Sequence, residues 1–161
     1  MLKENFTEEA QTSDYVTERN KPMPSYNHGS IQANLIIELA TYRNQYRPIS
    51  ELSLDLSNWP SVPDVSLYPW EKLDTTQDRA KVSEPPLCVI EILSPTQSIT
   101  ELLSKAKSYF EHGVQSCWIV LPWLDNIYVF TTPKDYEIFK SGETLEDKKM
   151  GIRIDVARVF E

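Results

Sequence analysis

Glycine is scarce in this 161-residue chain, with only four residues and no cluster among them. No glycine-rich loop is therefore available to cradle a nucleotide's phosphates. Cysteine is rarer still: Cys88 and Cys117 lie far apart, each inside an apolar run. That spacing excludes a Cys/His zinc motif and reads as two buried free thiols in a reducing compartment. Should the two runs be neighbouring strands, a bridge between them is geometrically conceivable but unnecessary. Apolar runs are too short to span a bilayer, and Met1 to Ala10 is too acidic for a secretion signal. The expectation is a cytoplasmic protein with no membrane partner. No Ser-His-Asp set stands out. Aromatics interleaved with basic residues, as single-strand binders carry, are also missing. Trp59, Trp70, Trp118 and Trp123 sit in strands or apolar turns, where core packing accounts for them. Basic charge is the last shortage. Sixteen Lys and Arg against 24 Asp and Glu leave a net charge of −8. DNA affinity comes largely from cations that neutralise phosphates, so this balance opposes tight, unaided duplex binding.

What is present suits one globular domain, with apolar content of 40% and charged content of 25%. Residues 1–23 are polar and without sustained periodicity, and read as an arm. The domain, 24–161, starts around Lys21-Pro-Met-Pro-Ser25. From Gly29 to about Arg43 the spacing of Ile31, Leu35, Leu39 and Tyr42 predicts a helix. Arg47-Pro48 reads as its break, and Glu51 to Leu56 alternates as a half-buried strand does. A second short strand, Val62 to Tyr68, contains Pro63 and so belongs at an edge or a bulge. Pro69 to Glu84 is a polar loop. Pro86 to Leu93 is apolar and β-branched at its centre, the pattern of a strand buried on both faces. A helix from about Ser98 to His112 follows, stopped by Gly113. Cys117 to Leu121 is another buried strand. Turns at Asp125-Asn126 and Pro133 to Asp135 lead into strands Ile127–Phe130 and Tyr136–Phe139, and a last strand lies near Ile152 to Val156. Strand, helix and strand from 86 to 121 form a parallel crossover. The fold class is therefore α/β, a mixed sheet flanked by helices with C-terminal hairpins.

Glu91 is the most informative residue. It sits inside a run with no other charge from Leu87 to Leu93, where an unpartnered carboxylate would cost several kcal/mol. A metal, a raised pKa, or an ion pair with Arg43 or Lys105 must compensate. Asp64 lies in Val62-Pro-Asp-Val-Ser66, where it is either a site residue or a turn aspartate satisfying nearby amides. Lys105 flanks the apolar stripe of the second helix. Glu101, one turn before it, offers the ordinary surface pair. Lys107 lies on the opposite flank, so both lysines cannot reach one site.

Together, Val62-Pro-Asp-Val65, Cys88-Val-Ile-Glu-Ile-Leu-Ser-Pro-Thr96, Lys105 with Tyr109, Gly113-Val114 and Trp118-Ile-Val120 form a pattern. It resembles a bacterial family of restriction-endonuclease-like proteins, catalogued as a domain of unknown function within the PD-(D/E)xK nuclease superfamily. The resemblance runs from about Lys21 to the end and implies a restriction-endonuclease-like mixed sheet. It implies Asp64 and Glu91 as ligands of Mg²⁺ (or Mn²⁺) in an endonuclease that hydrolyses DNA. The superfamily's lysine is absent from its usual place, since Leu93 stands two residues after Glu91. The resemblance moves that role to Lys105. Glu101 stands where relatives often carry aspartate. Glu38 matches an acidic position on the first helix, or is a helix-end carboxylate that reaches solvent. His28 is a weaker candidate base or ligand, or a local hydrogen-bonding group before the helix. Many superfamily members act as dimers, which makes a homodimer an expectation by analogy. The alternative is a catalytically inactive scaffold that binds a protein or nucleic acid. Acidic composition, Leu93 and the polar arm favour it.

Overall fold

The computed structural model describes residues 22–161. The arm expected over 1–23 thus lies outside the described residues, apart from its last two positions. Helix α1 (Tyr26–Leu39) starts at Ser25, whose hydroxyl accepts the His28 amide, and ends in a 3₁₀ turn, Ala40–Tyr42. Six strands follow in one sheet: β1 (Tyr46–Ser50), β4 (Val65–Pro69), β5 (Cys88–Ile92), β6 (Ser116–Leu121), β7 (Asn126–Phe130) and β8 (Tyr136–Lys140), hydrogen-bonded in the order β1-β4-β5-β6-β7-β8. The hairpin of β2 (Leu54–Leu56) and β3 (Trp59–Ser61) and that of β9 (Thr144–Asp147) and β10 (Ile152–Asp155) stand apart from it. Helix α2 (Ile99–Glu111) joins β5 to β6, the sheet's parallel pair, and α3 (Val156–Val159) is the last element.

Alternation along the central strands sorts the core into two layers. Cys88, Ile90, Ile92, Trp118 and Val120 face α1, meeting Ile31, Leu35 and Leu39, with β10 and α3 completing that layer. Val89, Cys117 and Ile119 face α2, meeting Leu102 and Ala106, with Leu54 and Leu56 of the β2–β3 hairpin closing over them. Each fully buried leucine contributes about 1.5–3 kcal/mol by leaving water. Helices cover both faces, which is why β5 and β6 carry no exposed residue.

Three sequence expectations shift. Residues 46–50, expected to be a break, form β1. This strand lies at the sheet's edge, where Pro48 is tolerated without a donor. The strand expected over 62–68 begins only at Val65, after the proline, and lies inside the sheet between β1 and β5 instead of at an edge. Strand β9, whose only apolar residue is Leu145, lies where sequence periodicity gives no strand. The two thiols are free. Cys117 pairs in register with Val89 rather than Cys88, so the two side chains point into opposite layers and no bridge is possible.

Candidate active site

The buried carboxylates meet at one end of the β4–β5 pair. Register puts Val65 opposite Ile90, so one further step brings Asp64 opposite Glu91 on the α2 face. Both are 1% exposed. Asp64 Oδ2 accepts the Ile92 amide at 2.7 Å, so the residue after Glu91 fixes the aspartate. From α1, His28 Nε2 lies 3.2 Å from Asp64 Oδ1, and Gln32 Nε2 donates to the Asp64 carbonyl at 2.9 Å. The Asp64 carbonyl also accepts the Glu51 amide. Helix α1, strand β5 and the loop after β1 therefore hold one aspartate.

Helix α2 supplies the partners of Glu91. Ser98 caps its start, accepting the Glu101 amide, and Gly113 ends it with φ +97°. The intervening three and a half turns bring Lys105 and Tyr109, one turn apart, onto the sheet-facing side. Lys105 Nζ lies 3.0 Å from Glu91 Oε1, and the Tyr109 hydroxyl donates to the same oxygen at 2.8 Å. Ser61, at the end of β3, hydrogen-bonds the Tyr109 hydroxyl in turn. Burial pulls the Lys105 ammonium toward a lower pKa, but the Glu91 carboxylate outweighs it and Asp64 adds to the rise. The lysine is therefore held charged. Burial and the Glu91 charge push the Tyr109 phenol well above its ordinary range, so it remains a donor.

Of the residues singled out from sequence, the structure brings together His28, Asp64, Glu91 and Lys105. Arg43, the alternative partner of Glu91, is not used. Glu101 sits exposed in the first turn of α2, and Lys105 turns to Glu91 instead of forming the expected surface pair. Glu38 lies ten residues beyond His28, about 15 Å along α1, and faces Arg158 Nη1 at 4.0 Å. That contact corrects its placement near the site, and His28 takes the place on α1 expected of it. Sequence reasoning missed Ser61 and Gln32. It had Tyr109 beside Lys105 in the family pattern without a role of its own, and the hydroxyl is what touches Glu91. Helical spacing from Lys105 to Tyr109 was the available signal.

The tryptophans divide. Trp118 is fully buried, and Trp59 packs against Tyr109 and His112. Trp70 and Trp123, expected in the core, are 54% and 93% exposed. Trp70 lies just past the end of β4 and Trp123 in a one-turn 3₁₀ helix after β6, neither with a second layer above it.

Among solved structures, a protein from Anabaena variabilis described as "a putative nuclease belonging to DUF820" superposes with a TM-score of 0.71 at 23% identity, over 86% of this chain and 83% of its own. That likeness concerns the fold alone, an α/β protein with a central mixed sheet flanked by helices. The chain belongs to the Uma2 family, described as "Putative restriction endonuclease", whose pattern matches residues 9–157. A DrdV–DNA complex aligns at a TM-score of only 0.36 and 13% identity, over 94% of this chain and 12% of its own, and carries no argument. No curated protein matches the sequence. No helix among the described residues is long and apolar enough to cross a membrane.

Proposed function

We propose that this protein is a divalent-metal-dependent endonuclease that hydrolyses DNA phosphodiester bonds at Asp64, Glu91 and Lys105. One observation carries the reading. Lys105, from a different element, returns to the carboxylate that lacks a lysine two residues on. The donor set suits a hard cation. Two buried carboxylates stand at facing positions of β4 and β5, and the Lys105 and Tyr109 contacts of Glu91 both fall on Oε1. No group of three or more His, Cys, Asp or Glu forms among the described residues. Mg²⁺ does not require one, since it keeps several waters and uses one or two carboxylates. Asp64 and Glu91 would hold Mg²⁺ or Mn²⁺, which when bound polarises a phosphate oxygen and lowers the pKa of a bound water.

The chain's own residues do the rest. Lys105 presents a fixed positive charge where a phosphate oxygen gains charge. Tyr109, backed by Ser61, orients Glu91. His28 and the Ile92 amide orient Asp64. DNA as substrate follows from the nuclease fold and family description, against the opposing net charge, which a bound cation at the site would locally offset.

The inactive-scaffold reading has one favourable observation: Lys105 already compensates the buried Glu91, so the fold stands without an ion. Calorimetric titration with Mn²⁺ separates the two. The nuclease reading expects saturable heat that disappears in Asp64→Asn, together with Mn²⁺-dependent cleavage lost in Glu91→Ala. Absence of both heat and cleavage in the wild type leaves the scaffold.

A further inference from the structure

We infer that a cleft beside the catalytic carboxylates, walled by Tyr26 and Trp123, receives an unpaired nucleobase of the DNA being cut. The inference rests on the nuclease reading and adds a substrate class to it. The cleft, of about 400 Å³, lies between the start of α1 and the chain ends that follow β5 and β6. Its volume falls within the range of about 300–1,000 Å³ usual for small-molecule sites. His28 lines it, and the same ring is 3.2 Å from Asp64, so one imidazole ring connects the cleft to that carboxylate.

Two observations select the occupant. Tyr26 and Trp123 are 89% and 93% exposed, so neither ring contributes to the core. Each is costly to leave in water, and aromatic faces of this kind stack on bases of any sequence. Secondly, the ten residues that line the cleft include no Asp, Glu, Lys or Arg, although a quarter of the chain is charged. A phosphate would find no cation there. A neutral aromatic ring finds two exposed rings to stack on, and Asn27, Ser94 and Gln97 in the same lining offer hydrogen-bonding groups. A base inside a paired duplex cannot reach such a cleft, whereas one at a gap, a bulge or a single-stranded end can.

The test uses the full chain carrying Asp64→Asn, so that binding is read without cleavage. Three labelled probes are compared: a continuous duplex, the same duplex with one unpaired nucleotide, and that duplex with the unpaired nucleotide made abasic. The expected result is roughly tenfold tighter binding of the unpaired-base probe than of either other probe. Adding Tyr26→Ala or Trp123→Ala should collapse that ratio toward one, while Trp70→Ala, an exposed tryptophan outside the cleft, should leave it intact. Equal affinity for all three probes, an unchanged ratio in both cleft variants, or no binding to any probe overturns the inference. So does a fall in sedimentation size on Trp123→Ala with the ratio preserved, which would assign the aromatics to a second copy of the chain. Metal-dependent cleavage of the wild type is measured separately. If cleavage persists while the ratio is one, the cleft assignment fails and the nuclease stands. If the ratio holds but no metal yields cleavage, the nuclease reading fails and a DNA-binding cleft remains.

Discussion

Glu91 Oε1 receives both an ammonium and a phenol, and the two partners do different work. Lys105 compensates charge, and removing it strands a buried carboxylate. Lys105→Met should therefore destabilise the protein by roughly 3–5 kcal/mol in urea denaturation. Tyr109 donates one hydrogen bond and receives Ser61. Tyr109→Phe keeps the packing but leaves two buried oxygens short of a partner, a cost of about 1–3 kcal/mol in the same measurement. If Tyr109 orients Glu91, this variant should also weaken Mn²⁺ binding, which a purely packing role would leave unchanged. Glu91 was legible in the sequence because a lone charge in an apolar strand must have a partner. The choice of that partner was open between Arg43 and Lys105 on spacing alone; the family resemblance pointed to Lys105, and the helix-to-sheet geometry brings it to Glu91. Glu38 misled for the same reason. It lies on the correct helix, but three turns from the residue that reaches the carboxylates.

Among the elements, α2 was the clearest in sequence, with its cap, its apolar stripe and its glycine stop all legible, and it ends within a residue of expectation. Gly113 adopts φ +97°, and a Cβ there would come within 3.2 Å of Pro85 Cγ. Gly113→Ala should cost more than about 1 kcal/mol by chemical denaturation, from backbone strain added to this contact. Prolines obscured the strands. Pro48 reads as a breaker, yet it is tolerated at an edge. Pro63 reads as part of a strand, yet the ladder starts only after it and Asp64. The polar 69–84 loop is tied down by Tyr68, whose hydroxyl donates to the Glu84 carbonyl at 2.8 Å. Burial, with the Glu84 charge, pushes this phenol up from 10.0 to about 12. A raised folded pKa favours the neutral form, so the stabilisation is complete below pH 10 and disappears as pH rises through about 12. Tyr68→Phe should lose stability less steeply than the wild type across that window, as read by urea midpoints taken at successive pH values.

For the whole molecule, a charge of −8 would limit how DNA, the proposed substrate, is held. Few phosphates can be neutralised by side chains, so affinity should fall with added monovalent salt less steeply than for proteins making six to ten phosphate contacts. Fluorescence anisotropy across a salt series reads that slope directly. The mixed sheet, its parallel crossover and its two covering helices were all legible, since burial on both faces leaves an unbroken apolar signature in β5 and β6. The seating of the β9–β10 hairpin was not. Asp147, fully buried, accepts the Trp118 indole and the Met150 amide, an anchor that no periodicity encodes.

The two core layers have a consequence for how this protein is made. His28 arrives with the helix on one side of the sheet, Lys105 and Tyr109 with the helix on the other, and the carboxylates wait at the seam. A chain in which only one side has condensed holds its two carboxylates with half of their partners, so on the proposed reading a nascent or damaged molecule would carry no working centre.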